Sequence, residues 1–168
     1  MSGALPDRKW SDMSKLRRLF LPEHCYFVTT AVKNREHLLK DDAVCSLIVE
    51  DLRYYHKKHG FLFHGYVIMP DHLHILISVQ GNATISQIMH DFKSHTAQEI
   101  NRTLGRQGPF WQKGFYDHII RDERDFKRRI DYIHRNPLTS GLVSNISEYA
   151  FSSFRNYYLD DDSMIKID

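Results

Sequence analysis

The sequence predicts an α+β fold, a ferredoxin-like or RNA-recognition-like (RRM-like) sandwich in which helices pack against a central antiparallel sheet. Strand and helix patterns alternate along the chain in the order β, α, β, β, α, β, α. The two adjacent strand patterns in the middle are joined by Pro70 and Asp71, which favour a tight turn and therefore a hairpin. A central hairpin with two helical crossovers is typical of this sandwich.

Each element is predicted from its own pattern. Aromatic and β-branched residues predict the strands, and apolar residues at helical spacing, such as Ile85 and Phe92, predict the helices. Gly60 is expected to end the first helix, Asp122 to cap the start of the third, and Pro137 to lie just past its end. The predicted elements are a strand over 24–34, a helix over 41–59, strands over 61–69 and 72–79, a helix over 84–104, a strand over 115–122 and a helix over 123–136.

Length and composition are those of a globular protein. The chain has 168 residues, of which 42% are hydrophobic and 26% charged, enough for one domain with a buried core. The apolar runs are too short to cross a membrane, and the first residues lack the apolar core of a secretory signal, so a cytoplasmic location without membrane contact is expected. We predict a single domain over 1–168, with a basic N-terminal extension at about 1–22 and an acidic C-terminal tail at about 159–168.

Charge is distributed unevenly along the chain. The segment from Glu148 onward carries five acidic and two basic side chains, a net charge of −3. Since the whole chain has a net charge of +2, residues 1–147 have a net charge of +5. A basic body is compatible with a polyanionic partner, although the charge alone does not identify one.

Two histidines stand one residue apart in the stretch VIMPDHLHILIS. Because side chains alternate along a strand, His72 and His74 share one face with Leu76, while Ile75 takes the opposite, apolar face. The imidazoles are then about 7 Å apart along the strand, and their rings can converge on one cation. They make half a metal site, and on its own the pattern is more typical of histidines that bind neighbouring backbone groups or face solvent.

The third predicted helix carries a polar face beside its buried stripe. At about 100° per residue, Tyr132 and Asn136 lie one above the other, with Arg128 and Arg129 on the same side. A tyrosine, an amide and two guanidinium groups therefore share one surface. On its own, such a surface is typical of a helix face in contact with solvent. Together with the histidine pair, it supplies the second half of a candidate site.

Three separated segments resemble the REP-associated tyrosine transposases, relatives of the single-tyrosine transposases of bacterial insertion sequences. The segments are MPDHLHILI, PFWQKGFYDHIIRDERDFKRRIDYIHRNPLTSGLV and YAFSSFRNY, in the family's order. Both groups belong to the HUH nucleases, named for two histidines that flank a hydrophobic residue. The resemblance covers roughly residues 15–158.

The resemblance implies a HUH nuclease domain with a role for each site residue. His72 and His74 match the paired metal ligands, Tyr132 matches the catalytic nucleophile, and Asn136 matches the third ligand. Many insertion-sequence relatives have glutamine at that last position, so asparagine favours the REP-associated branch. The implied product is a 5′-phosphotyrosine linkage with a free 3′-hydroxyl on the other DNA fragment.

The chemistry of these residue types agrees with the implied reaction. A free phenol has a pKa of about 10 and is a poor nucleophile at neutral pH unless a cation or a base assists it. Two imidazoles and an amide are neutral ligands, so a divalent cation between them keeps its full charge and open positions for phosphate oxygens. Mg²⁺ or Mn²⁺ is therefore expected, and nitrogen ligands favour Mn²⁺.

The expected function is that of a metal-dependent single-stranded DNA endonuclease and strand transferase acting on hairpin-containing DNA. Two alternatives are a domesticated hairpin-binding protein with little cleavage activity and an RNA-binding module, which would need exposed aromatic side chains on the central strands. The protein is expected to act as a monomer or a homodimer.

DNA contact is expected from cationic and aromatic side chains around the tyrosine face, although Trp111 can equally belong to a packed aromatic loop. The candidates are Arg17, Arg18, Lys93, Trp111, Arg121, Arg128 and Arg129. His64, on the neighbouring strand, is interpreted as a core residue or as a second layer around the histidine pair.

Overall fold

The computed structural model describes residues 24–168. The main elements are β1 (Cys25–Ala31), α1 (Asp42–His59), β2 (Leu62–Met69), β3 (His72–Ser78), α2 (Ile85–Leu104), β4 (Tyr116–Ile119), α3 (Glu123–Thr139) and α4 (Phe154–Leu159). The four strands form one antiparallel sheet in the order β2-β3-β1-β4. This is the predicted α+β, ferredoxin-like arrangement with its central β2–β3 hairpin.

The sheet has a hydrophobic core on each face. On one face, helices α1 and α2 pack against residues such as Ile75. On the other face, α3 contributes Phe126, Ile130 and Ile133 to a smaller cluster that contains Leu76. Strand alternation puts His72 and His74 on the Leu76 face, as the sequence predicted, and this is the face that α3 covers.

Gly60 and Asp122 have the roles at helix ends that the sequence predicted, and further capping residues are found at the starts of α1 and α2. Asp41 caps α1, and Gly60 ends that helix in the left-handed conformation with φ of 65°. Thr84 and Gln87 form a capping box at the start of α2. Asp122 caps α3 by accepting a hydrogen bond from the backbone of Asp125.

In the C-terminal third of the chain, one prediction was wrong and one element was missed. Pro137 lies inside α3 rather than past its end. Its buried ring packs at a position where the helix continues, because the Ser140 and Leu142 amides donate to the carbonyls of Asn136 and Pro137 and close one more turn. The short helix α4 was not predicted, since six residues are too few for a helical periodicity to stand out.

The segment that precedes α4 covers the outer edge of β2. The Ile68 amide donates to the Phe151 carbonyl at 3.0 Å, and the Ser153 amide donates to the Tyr66 carbonyl at 2.9 Å. The Ser153 hydroxyl also accepts a hydrogen bond from the Tyr66 amide at 3.0 Å. This outer strand of the sheet is therefore already paired.

The acidic C-terminal segment packs on the body of the protein. Ile165 is buried, and its carbonyl accepts a hydrogen bond from the Asn156 amide side chain at 2.6 Å. The Asp168 carboxylate accepts a hydrogen bond from the Phe63 amide at 2.7 Å and lies 2.9 Å from the His56 ring. The basic extension predicted at about 1–22 lies outside the described residues.

A membrane-spanning helix is absent from residues 24–168, since none of their helices combines the necessary length and apolarity.

Candidate active site

The two histidines of β3 form a close pair beneath α3. The ring centroids of His72 and His74 are 4.6 Å apart. Asp71, in the hairpin turn, lies with its carboxylate 2.6 Å from Nδ1 of His72. Thr29, opposite His74 in the β1–β3 register, has its hydroxyl 2.7 Å from Nδ1 of that ring. The Nδ1 atom of each ring is therefore engaged, and within residues 24–168 no hydrogen bond of either Nε2 is observed.

Helix α3 brings Tyr132 to this pair. Its ring centroid lies 5.3 Å from that of His74 and 6.0 Å from that of Phe27, in both cases edge to face. Phe27 in turn stacks on His74 at 5.1 Å. The tyrosine is half exposed, at 50%, although its ring contacts those of Phe27 and His74.

Asn136 lies one helical turn after Tyr132, partly buried on α3. Its backbone carbonyl accepts a hydrogen bond from Ser140, and within residues 24–168 no hydrogen bond of its amide side chain is observed. The tyrosine and the amide thus belong to one stretch of helix surface, as the sequence predicted.

The donor set of these residues fits a divalent cation. Nε2 of His74 is buried and has no hydrogen-bond partner within the described part of the chain, which is the state of a nitrogen available as a ligand. Between residues 24 and 168 no three His, Cys, Asp or Glu side chains are grouped to hold a metal ion. The predicted third ligand, the Asn136 amide oxygen, is a neutral oxygen and does not belong to these four residue types.

Electrostatics keep both imidazoles neutral. Burial lowers the pKa of His74 to about 3, with further lowering from His72 and from the guanidinium groups of Arg35 and Arg129. Burial also lowers the pKa of His72, and the hydrogen bond to Asp71 partly opposes this effect. Neutral imidazole is the form that binds metal ions.

A buried carboxylate ties α3 to the sheet. The Asp125 side chain lies 2.7 Å from Nε2 of His118 on β4, and it accepts a hydrogen bond from the Arg121 amide at 3.1 Å. Burial alone would raise the pKa of Asp125, but these hydrogen bonds outweigh it and lower the pKa to about 2. Asp125 therefore fixes the start of the helix that carries Tyr132.

The predicted DNA-contacting arginines of α3 and of the residues just before it lie on the tyrosine side of the sheet. Arg129 places its guanidinium 5.0 Å from the centre of the Phe27 ring. Arg121 contacts Asp125 at 3.4 Å with its side chain 69% exposed, and Arg128 is exposed. Arg17 and Arg18 lie outside the described residues.

Lys93 and Trp111 do not fit the predicted grouping. Lys93 belongs to α2, on the opposite side of the sheet from α3, and its ammonium donates to the Gln112 and Gly114 carbonyls. Trp111 is buried, and its indole N–H donates to the Thr96 hydroxyl at 2.9 Å. The packed aromatic loop is thus the interpretation that the structure supports, because no ring face of Trp111 is open to a base.

Sequence reasoning missed the groups that surround the histidine pair. Thr29 and Phe27 could have been found from strand pairing, had the β1–β3 register been known. Asp71 was interpreted only as a turn residue. Arg35, which contacts Asp71 at 2.9 Å, follows β1 without any motif that marks it. His64 is a core residue, buried against Phe126.

A ferredoxin-like sheet with a histidine pair on a central strand and a helix-borne tyrosine against it is the arrangement expected of HUH tyrosine nucleases. Residues 22–136, more than half of the chain, match the family described as "Transposase IS200 like", and the chain belongs to this family. Its members are DNA-processing transposases of the phosphoryl-transfer class.

Individual relatives agree with the family match. The chain is 25% identical over 143 residues to a REP-associated tyrosine transposase of Escherichia coli K12, covering 84% of this chain and 83% of the relative. It is 28% identical over 156 residues to a Haemophilus influenzae protein provisionally assigned to the same group, covering 84% and 86%. A REP-associated tyrosine transposase solved with a REP hairpin shares the fold with a TM-score of 0.68 at 22% identity, over 88% of this chain and 93% of that one.

Proposed function

We propose that this protein is a metal-dependent single-stranded DNA endonuclease and strand transferase that acts on hairpin-containing DNA through a 5′-phosphotyrosine intermediate at Tyr132. The observation that carries the proposal is the 5.3 Å separation between the Tyr132 and His74 rings, with His72 a further 4.6 Å along. The hairpin substrate is inferred from the relative that was solved with one.

The reaction requires a phenol that the DNA can reach and positive charges close to it. The Tyr132 oxygen attacks phosphorus, the bond between phosphorus and the 3′-oxygen breaks, and that oxygen leaves as a 3′-hydroxyl with a proton. In strand transfer a 3′-hydroxyl attacks the same phosphorus, and the phenol is released with a proton. The half-exposed position of Tyr132 lets the DNA strand approach its hydroxyl.

His72, His74 and Asn136 would hold the metal, with Mg²⁺ or Mn²⁺ as the ions that the donor set and the family favour. When bound, the ion neutralises charge on the phosphate oxygens and on the leaving oxygen. The guanidinium of Arg129, over Phe27, adds a positive charge beside Tyr132.

The phosphate backbone would be bound by arginines of α3 and of the residues just before it, on the same side of the sheet. We assign this role to Arg121, Arg128 and Arg129, whereas the predicted role of Arg17 and Arg18 stays a prediction. Each phosphate contact contributes a slope of about −0.9 to the dependence of log affinity on log salt concentration for a duplex stem.

The test is the formation of a covalent adduct. Incubation with single-stranded DNA that contains a REP-type hairpin and flanking sequence, together with Mn²⁺, is expected to yield a protein–DNA adduct that survives denaturing electrophoresis. Tyr132→Phe should form none. Tyr116→Phe is the matched control, because Tyr116 is a similarly exposed tyrosine on β4 and its variant should still form the adduct.

Histidine variants separate catalysis from binding. His72→Ala and His74→Ala are expected to abolish the adduct while largely preserving hairpin affinity, measured by gel shift, with circular dichroism as the check on folding. A wild-type protein that binds the hairpin across many flanking sequences without ever forming an adduct would instead be a hairpin-binding protein. Light scattering of the complex distinguishes the predicted monomer from the homodimer.

A further inference from the structure

Two charged side chains, Asp71 and Arg35, connect in series to His72. Nδ1 of His72 lies 2.6 Å from one carboxylate oxygen of Asp71. The second oxygen of the same carboxylate lies 2.9 Å from Nε of Arg35. Both oxygens are thus engaged, one by the ring and one by the guanidinium, and the carboxylate is fixed between them.

The segment that carries Arg35 has an unusual backbone. Asn34 and Arg35 both have φ of 57°, in the left-handed region that side chains with a Cβ rarely adopt. Asparagine tolerates this conformation better than arginine does. A glycine would relieve the backbone at position 35, but it would lack the side chain that reaches Asp71.

The same segment is also attached to the hairpin turn through its backbone. The Val32 amide donates to the Asp71 carbonyl at 2.9 Å, and the Leu39 amide donates to the Pro70 carbonyl at 2.9 Å. The turn that positions His72 is therefore held on both sides of Arg35. The ion pair between Arg35 and Asp71 acts on a carboxylate that has little freedom to move.

We propose that Arg35 is a positioning residue for the metal site, acting through Asp71 on His72. Asp71 accepts the Nδ1 proton of His72, which leaves the lone pair on Nε2, and Arg35 holds the carboxylate in the orientation that keeps the ring there. The inference rests on the proposed function, since it concerns a ligand of the proposed metal site.

The second histidine lacks such a charged support. His74 has the neutral hydroxyl of Thr29 at 2.7 Å from its Nδ1. A carboxylate partner increases the basicity of an imidazole ligand more than a hydroxyl does. The two ligands of one cation are therefore supported unequally, and loss of the Arg35–Asp71 pair weakens His72 selectively.

The experiment is a titration with Mn²⁺ alone, followed by electron paramagnetic resonance of the free ion, on wild-type protein and variants. Asp71→Asn is expected to weaken Mn²⁺ binding by about tenfold or more, because an amide can donate to Nδ1 and place the ring proton on Nε2. Arg35→Gly is expected to weaken binding by about threefold, since it acts one contact further out.

Arg35→Gly also separates positioning from a structural role. Glycine suits the left-handed backbone, so the melting temperature of this variant should equal or exceed that of the wild type while its Mn²⁺ affinity falls. A structural arginine would lower both together. Arg106→Ala is the matched control: it removes the same charge from an arginine that pairs with nearby Glu36 at 3.4 Å, and it should bind Mn²⁺ as the wild type does.

Each outcome decides the inference. If Asp71→Asn and Arg35→Gly bind Mn²⁺ like the wild type, Arg35 is not a positioning residue, and the proposed nuclease function stands. If the wild-type protein binds no Mn²⁺, both the inference and the proposed metal site fail. If Asp71→Asn does not fold, the exposed Arg35 remains open to substitution, and Arg35→Gly alone decides.

Discussion

At the scale of single residues, Gly65 on β2 lies beneath Ile130 of α3, where there is little room for a side chain. A Cβ added there would lie 2.8 Å from Cδ1 of Ile130 and 3.1 Å from Oγ of Ser153. Real Cβ atoms do not come within 2.8 Å of a neighbour, so the end of the Ile130 side chain would have to move. The absence of a side chain at Gly65 therefore lets Ile130, on the helix that bears Tyr132, pack directly on β2.

Gly65→Ala is therefore expected to reduce the free energy of unfolding by about 1 kcal/mol, the lower end of the usual cost of overpacking a core, because the atom met is the end of the Ile130 side chain. Urea unfolding measures it. Ile130→Val removes the atom that the new methyl group would meet, so the double variant should lose less stability than the sum of the two single variants. Simple additivity would show that the close approach is accommodated elsewhere.

Residues also show where sequence reasoning succeeds and where it stops. The common face of His72 and His74 follows from strand alternation, a property of any strand. The support of His72 by Arg35 could not be predicted, because it depends on a left-handed backbone at position 35 and on a tertiary contact with the hairpin turn. The burial of Trp111 depends likewise on its bridge to Val32, which continues the pairing of β1 with the residues that precede β4.

At the scale of elements, α3 is held to the sheet at its first turn by Asp125. The pKa of this carboxyl lies below its unfolded value of 3.8, so its hydrogen bonds stabilise the protein at all pH values above about 4 and are lost as the pH falls toward about 2. The contribution is thus fully present at neutral pH.

Asp125→Asn should reduce the free energy of unfolding at pH 7 by about 1–3 kcal/mol, because it weakens charge-assisted hydrogen bonds to a buried group. The difference from wild type should shrink as the pH is lowered through this window. Asp131→Asn is the matched control on the same helix. Burial raises the pKa of Asp131, so neutralising that side chain should not destabilise the protein. Equal losses in both variants would contradict the role given to Asp125.

The order of the elements was predictable because each long helix and each strand carries its own periodic pattern. The end of α3 was not predictable, because a proline usually ends a helix. Here the helix continues past Pro137, since the amides of the following turn donate to the carbonyls of Asn136 and Pro137. The proximity of Tyr132 to the histidines required the three-dimensional position of α3, which its sequence alone does not determine.

At the scale of the whole molecule, buried histidines make stability depend on pH. Burial lowers the pKa of His64 to about 4 and that of His134 to about 3, whereas both would titrate near 6.5 in the unfolded chain. Below pH 6.5 the unfolded state takes up protons that the folded state does not, so stability falls as the pH decreases toward about 4.

Urea unfolding at pH 7.5, 6.0 and 5.0 should reveal this loss. Each such histidine contributes at most about 1.4 kcal/mol per pH unit within the window. His134→Phe places an apolar ring between Phe154 and Tyr157. It should reduce the slope of the free energy of unfolding against pH by the contribution of one histidine. An unchanged slope would mean that His134 is protonated in the folded protein.

The pairing of residues 151–153 with β2 affects how the molecule meets its own copies. A sheet border with free amides and carbonyls can recruit strands from other chains, and one of the two borders here is already occupied by the protein's own backbone. The other border, β4, is only four residues long. Concentrated solutions of the folded protein should therefore resist fibre growth, even though Tyr116 and Ile119 expose apolar surface on that short strand.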